Sequence, residues 1–478
     1  MKRHEAEMEL YELGIHEAQE GLAKGEFSSE DLVKAIIARY HDRNGEVGAY
    51  LTFDEAGALS LARENPKAVP IAVKDLINVR GQPCTCGSKI LKGYVSPYDA
   101  TVIRNMKSGG FIPCGRVNMD EFAMGSSTEN SALGVTRNPY DLERVPGGSS
   151  GGSAAAVGGD MCIAALGTDT GGSIRQPASF CNSVGVKPSY GRVSRYGVTA
   201  FASSLDQVGP MTKDVEDAAI LLRALAGHDE MDGTTPKDPV PDYAAELAGA
   251  SMKGVRLGLP KEYFDVKGID PEVRRITEEA AKKCEAAGAE LLEVSLPHTE
   301  YAMAVYYIIA PAEVSANLAR FDGVRYGHRS AEAKDVYSLY TKSRAEGFGP
   351  EVKRRIIIGT FVLSSGYQDA YYGRALKVRA LVKRDFDEAF GKCDALLTPC
   401  APTPAFRMGE LQDPLTMYLN DLFTIPSSLA GICAASVPAG FTAGTNLPVG
   451  VQFVCAAFEE TRLLRVCKAF EDVAGVAR

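Results

Sequence analysis

Pro146-Gly147-Gly148-Ser149-Ser150-Gly151-Gly152-Ser153 and, further on, Gly167-Thr168-Asp169-Thr170-Gly171-Gly172-Ser173-Ile174-Arg175-Gln176-Pro177 are the densest glycine-serine stretches of a 478-residue chain. Between them Ala154-Ala155-Ala156-Val157 reads as helix and Cys162-Ile163-Ala164-Ala165-Leu166 as strand. The region is therefore a folded, glycine-lined surface and not a linker. Three chemistries could use it. A phosphate loop has the right spacing from Gly147 to Gly152, but Ser153-Ala154 follow where the loop needs Lys-Ser/Thr, so the cation that meets the phosphates is absent. A nucleophile elbow would make Ser150 the attacking residue in Gly148-Ser149-Ser150-Gly151-Gly152. It needs a histidine base, and none of the six histidines (4, 16, 41, 228, 298, 328) has a distinctive setting.

The third chemistry uses serine with a neutral lysine. Burial must lower the lysine pKa from about 10.4 toward neutrality, a shift of roughly 3 units or about 4 kcal/mol. Val69-Pro70-Ile71-Ala72-Val73 reads as a short buried strand, and Lys74-Asp75 end it with charge, the position where α/β proteins place chemistry. Lys74 is thus placed to be desolvated. Gly171 and Gly172 leave the N–H groups before Ser173 unobstructed, as an oxyanion hole requires.

Outward from this centre, strands and helices alternate. The first 65 residues read as helical, with Ser28 as N-cap, Asp31 three residues on, and Phe27 and Leu32 placed for a hydrophobic staple. Thr212 is expected to cap a helix ending before Gly227, and a polar, Pro-rich connector follows at 229–242. Val255 to Leu259, a helix from Asp270 to Gly288 and Leu291 to Leu296 read as a β-α-β unit. The remainder predicts helix over 351–390, strands at 394–398, 432–438 and 449–455, and a closing helix from Glu459. The fold class is α/β. Length alone would suggest two or three domains.

Hydrophobic residues make up 45% and charged residues 24%, with a net charge of −9 and no dense Lys/Arg cluster, which argues against unaided nucleic-acid binding. No run of about 18 apolar residues predicts a membrane span, and Met1 to Gly14 lacks the apolar core of a secretory signal, so a soluble cytoplasmic protein is expected. Eleven scattered cysteines, never spaced C-x-x-C, read as reduced core thiols; no metal site is expected.

Lys74, Gly147 to Ser153 and Gly171 to Pro177, with the separations between them, strongly resemble the amidase signature family. That resemblance implies Ser173 as nucleophile, Ser149, preceded by a cis peptide, as proton relay, and Lys74 as base, with the N–H groups of Thr170, Gly171, Gly172 and Ser173 as oxyanion hole. Within the family the chain looks most like the A subunits of tRNA-dependent amidotransferases, in Phe122 to Asn130, Tyr190 to Gly197, Phe201 to Gln207, Arg320 to Gly327 and Asp413 to Tyr418. The likeness covers nearly the whole chain. It implies one domain over residues 1–478, a large mixed β-sheet core surrounded by α-helices, with residues 1–65 packed on it or on a partner. It also implies glutamine as substrate, clamped by Arg355 on its carboxylate and Asp421 on its ammonium, with Ser126 and Tyr306 also binding substrate. Arg354 is a neighbour that could take Arg355's role. No cofactor is implied in this chain. ATP and Mg2+ are expected at a B subunit that also holds the aminoacyl-tRNA, alongside a C subunit. Two departures from relatives are a shorter stretch from Ala62 to Val69 and Asn182 where glycine is usual.

Blander readings stand beside these. Ser150, Ser153, Ser126 and Ser127 could cap helices or close turns. Lys74, Arg355 and Asp421 taken singly would be surface charges, and Tyr306 could serve core packing. As a whole, the chain could be a stand-alone amidase acting on other carboxamides, or a silent scaffold, against which the intact Lys74, Ser149 and Ser173 set speaks.

Overall fold

The computed structural model describes residues 9–264, 266 and 268–476. Across them eleven strands join into one mixed sheet: β1 Tyr50–Thr52, β2 Val69–Lys74, β3 Phe111–Val117, β4 Ala164–Asp169, β5 Val184–Lys187, β6 Gln207–Thr212, β7 Arg256–Pro260, β8 Glu290–Val294, β9 Ala395–Pro399, β10 Cys433–Phe441 and β11 Pro448–Cys455. Their order is β1-β3-β2-β4-β6-β5-β10-β11-β9-β7-β8. Parallel pairs (β2 with β3 and β4, β7 with β8 and β9) lie toward the two ends of the sheet, while every pair between β4 and β9, and the edge pair of β1 with β3, is antiparallel. Helices surround this sheet, which is the α/β architecture that the alternation predicted.

The centre of the first half follows from its apolar runs. β2, β3 and β4 are buried along their full length, as expected for strands covered on both faces. Their register pairs Val73 with Leu166, so that Lys74 leaves the end of β2 beside the end of β4. Two strands thus deliver Lys74 and Asp169 to the same carboxyl-terminal edge. The β-α-β unit is also present, with helix Pro271–Ala286 capped by Asp270, whose side chain accepts from Glu272 N–H. All eleven cysteines are buried and free.

Four details differ from the sequence reading. The first 65 residues are not wholly helical: Gly48, at φ 66°, ends helix Ser29–Val47, and Tyr50–Thr52 then pairs antiparallel with β3 at the sheet edge. Residues 1–8 of that segment lie outside the described residues. Ser28 does cap that helix, in a full capping box with Asp31. Thr212 closes β6 instead of capping; Asp214 caps helix Val215–Leu225, because its carboxylate accepts from Asp217 N–H. The helical pattern of 351–390 is two helices, Pro350–Val362 and Arg374–Phe390, separated where Gly366 takes φ 86°. Finally, Pro297–Arg320 is long and apolar enough to cross a membrane by composition alone. Half of its apolar window is buried within the protein, and its helix Ala302–Asn317 packs against Pro350–Val362 and Arg374–Phe390.

Asn182 adopts φ 52°, the left-handed region that glycine tolerates best and asparagine next. Asparagine is therefore compatible with the left-handed backbone at this position.

Candidate functional site

Lys74 is fully buried, and its Nζ lies 2.8 Å from Ser149 Oγ, 2.7 Å from Ser150 Oγ and 2.9 Å from Thr168 Oγ1. Burial pushes its pKa down to about 7, against the raising pull of Asp120, Asp169 and Asp206. Near neutral pH the amine therefore has both protonation states available. Ser150 Oγ donates to Thr168 O at 3.0 Å and accepts from Thr168 N–H at 3.2 Å, so its own proton is committed. Ser149 Oγ has Lys74 as its one partner among the described residues, and the peptide between Gly148 and Ser149 is cis.

The loop after β4 is pinned at both ends. Arg175 forms a buried pair with Asp169 at 2.9 Å and reaches Thr424 O, Ser427 Oγ and Gln452 Oε1, while Asp169 also accepts from Ile174 N–H. Thr170 Oγ1 donates to Asp206 Oδ1 at 2.7 Å, and Thr424 Oγ1 donates to Gly171 O at 2.6 Å. Side chains could not replace the two glycines. A Cβ on Gly171 would stand 2.8 Å from the Tyr306 ring, and one on Gly172, whose φ is 149°, would collide with Thr424 Oγ1. None of the described hydrogen bonds uses the N–H of Thr170, Gly171, Gly172 or Ser173. Ser173 is 8% exposed, and Ser150 N–H donates to its carbonyl at 3.1 Å.

A second set of charges lies beside this loop. Ser126 Oγ donates to Asp421 Oδ2 at 2.7 Å, and Ser126 O accepts from Gln176 Nε2, while Gln176 Oε1 accepts from Gly148 N–H. One amide side chain therefore ties Gly148, just before the relay candidate, to the segment that holds Asp421. Burial raises the Asp421 pKa to about 7, against the Ser126 hydrogen bond and Arg355, which lower it. Arg355 is buried among the rings of Phe201, Tyr307 and Tyr418, at 5.6, 5.2 and 5.2 Å. Both Arg355 and Ser126 line a cleft of about 290 Å³ that Glu351, Arg354, Met417 and Tyr418 also border. The larger cavity, about 580 Å³ between Arg144 and Leu447, is mostly apolar and holds none of these charges. We place the site at the smaller cleft for that reason.

One group of metal-type donors occurs among the described residues, His16 with Asp214 and Asp217. It joins the N-terminal helix Ile15–Lys24 to helix Val215–Leu225 and already forms an ion pair at 2.9 Å, in which the Asp217 hydrogen bond raises His16 to about 9.

The amidase family model matches residues 31–464. The chain belongs to the amidase family.

Among similar amidases, the A subunit of glutamyl-tRNA(Gln) amidotransferase of Geobacter sulfurreducens is 56% identical over 97% of this chain and 98% of its own. The crystal structure of the A subunit of glutamyl-tRNA(Gln) amidotransferase from Thermotoga maritima superimposes with a TM-score of 0.82 at 45% identity, covering 98% of this chain and 96% of that one. Peptide amidase from Stenotrophomonas maltophilia shares the fold at TM-score 0.82 and 28% identity, with 97% of each chain covered. The amidase fold therefore serves hydrolases as well as amidotransferase subunits.

In this amidase the residues singled out by sequence fall into two adjoining groups. Lys74 and Ser149 are in contact, and Thr170, Gly171, Gly172 and Ser173 form the neighbouring loop. Ser126 contacts Asp421, Arg355 shares the cleft with Ser126, and Tyr306 is buried against Gly171. Ser173 Oγ has no hydrogen bond among the described residues. Arg354 is half-exposed and pairs with Glu351, so of the two arginines only Arg355 is held by rings. Ser150 and Ser153 do not cap through their side chains; both donate to β4 carbonyls, of Thr168 and Leu166. Sequence reasoning missed Thr168, Gln176, Asp206, Glu351 and Tyr418. Glu351 had a signal, its i,i+4 spacing from Arg355 on a helix opened by Pro350.

Proposed function

We propose that this chain is the glutamine-hydrolysing A subunit of a tRNA-dependent amidotransferase, with Ser173 as nucleophile, Ser149 as relay and Lys74 as base. The observation that carries the proposal is the buried Lys74 amine, its pKa near 7, 2.8 Å from a serine with no competing partner. Ser173 Oγ attacks the side-chain amide carbon while its proton passes to Ser149, and Ser149 passes its own to neutral Lys74. The N–H groups of Thr170, Gly171, Gly172 and Ser173 meet the developing oxyanion. The protons return to the leaving nitrogen, the C–N bond breaks, and ammonia leaves a glutamyl ester on Ser173. Water then hydrolyses the ester to glutamate.

Glutamine is a zwitterion at its far end: Arg355, which borders the cleft, takes the carboxylate, and Asp421, bonded to the cleft residue Ser126, takes the ammonium, with Ser126 and Tyr306 as further substrate-binding residues. This pairing favours glutamine over the simple carboxamides of a stand-alone amidase. The ammonia passes to a partner B subunit, which binds ATP, Mg2+ and Glu-tRNA(Gln), or Asp-tRNA(Asn), in a cytoplasmic complex that also contains a C subunit; this acidic chain leaves the tRNA to the B subunit. The single continuous sheet supports treating residues 1–478 as one domain.

Copurification from the native source followed by an ammonia-release assay with glutamine tests the assignment. Ser173→Ala should abolish ammonia release with an unchanged melting temperature, since losing one hydroxyl opens no large cavity. Turnover retained by that variant would move the nucleophile elsewhere, with Ser150 next to examine.

A further inference from the structure

Arg355 is fixed from behind. Its Nε donates to Glu351 Oε1 at 2.7 Å, and the same oxygen accepts from Tyr418 OH at 2.7 Å, while Glu351 Oε2 takes Arg354. Tyr418 stacks on Tyr307 with centroids 3.9 Å apart, and both rings flank the guanidinium. No protein acceptor meets Arg355 Nη1 or Nη2 among the described residues, although the residue is 3% exposed and borders the cleft. The carboxylate that neutralises this arginine therefore occupies its Nε edge and leaves the two-pronged edge free. A bidentate carboxylate uses that edge.

We propose that Glu351 is a positioning residue that sets specificity for substrates carrying an α-carboxylate, by holding the Arg355 fork toward the cleft. The inference rests on the zwitterion clamp described above. Helix geometry presets the contact: Pro350 opens the helix, and Glu351 and Arg355 stand one turn apart on it. Through Tyr418, Glu351 also links this helix to Pro414–Tyr418 and the turn Leu419–Asp421 that follows. Both ends of the clamp thus share one anchor. Without Glu351 the fork would lose its fixed plane, and a carboxylate would meet it at a cost in ordering.

The test compares glutamine with 4-aminobutanamide, which keeps the amine and amide but lacks the carboxylate, using the full chain assembled with its partner subunits. Glu351→Ala is expected to raise the glutamine KM about tenfold or more with kcat altered less than about threefold, and to affect 4-aminobutanamide at least about tenfold less. Glu351→Gln, which keeps an acceptor for Nε, should recover most of the loss. If the alanine variant melts below the assay temperature, Tyr418→Phe reads the same split, with an expected KM rise of about threefold confined to glutamine. Equal damage to both substrates, or an unchanged glutamine KM, overturns the inference. Arg355→Met separates the two levels of the argument: a silent Arg355→Met removes the clamp and this inference with it, whereas a damaging Arg355→Met beside silent Glu351 and Tyr418 variants overturns this inference alone.

Discussion

Ser150 Oγ donates to the carbonyl oxygen of Thr168 at 3.0 Å, and that bond sets it apart from its neighbour Ser149. Both hydroxyls touch Lys74 Nζ, yet only Ser149 has a proton to give without breaking another contact. Ser149→Ala should therefore lower kcat by roughly 10²–10⁴-fold, the range of a lost proton-transfer group, whereas Ser150→Ala should cost no more than about 10-fold by loosening Lys74. Steady-state ammonia release from the two variants checks this. Equal losses would mean that the relay is shared.

Buried Lys74 also predicts a stability signature. Its folded pKa, about 7, is below its unfolded value, so the unfolded chain binds the extra proton between these values. The penalty is fully present below pH 7 and vanishes as pH rises toward about 10.4. Relative to Lys74→Met, the wild type should gain about 1.4 kcal/mol per pH unit across that window and nothing below it. Urea melts of both proteins at several pH values give the difference directly, and a flat difference would show that Lys74 is not desolvated in the native state.

Asp421 titrates near the same pH with the opposite consequence for binding. Only its carboxylate form can pair with an ammonium, and burial holds its pKa at about 7. Glutamine binding to the Ser173→Ala variant should weaken about tenfold per unit as pH falls below 7 and level off above it. Calorimetric titrations across pH test this, with Asp421→Asn expected to bind weakly and without that dependence. A pH-independent affinity in the parent would remove Asp421 from the clamp.

Much of this was legible in the sequence, and the limits are physical. Lys74 and Ser173 stand in stretches whose local pattern carries the signal, an apolar run cut by charge and glycines where side chains cannot fit, whereas the pattern around Ser149 pointed to Ser150 and only the family resemblance named Ser149. Arg355 and Asp421 are different. Each is an ordinary helix or turn charge until the fold buries it, and only the family resemblance singled them out. Thr168 and Tyr418 carry no local signal at all, because their meaning comes from strand register and from a ring stack across the chain. Thr212 misled because Asp214, two residues on, is a stronger cap with its own N3 partner.

The net charge of −9 predicts that the isolated chain does not bind tRNA at physiological salt. An anisotropy titration with labelled tRNA is sufficient. Salt-sensitive submicromolar binding by this chain alone would contradict the division of labour within the complex.

The central claim is that Lys74 acts as a neutral amine. Single-turnover acylation of Ser173 by a slow glutamine analogue, followed across pH, tests it most directly. The rate should rise through an apparent pKa near 7, belonging to the coupled Lys74-Ser149-Ser173 unit and far below that of a free lysine. Lys74→Arg should be as damaging as Lys74→Ala, because a guanidinium keeps the charge but cannot give up its proton at working pH. An arginine variant acylated at nearly the wild-type rate would show that Lys74 supplies only charge or position, and would contradict the mechanism.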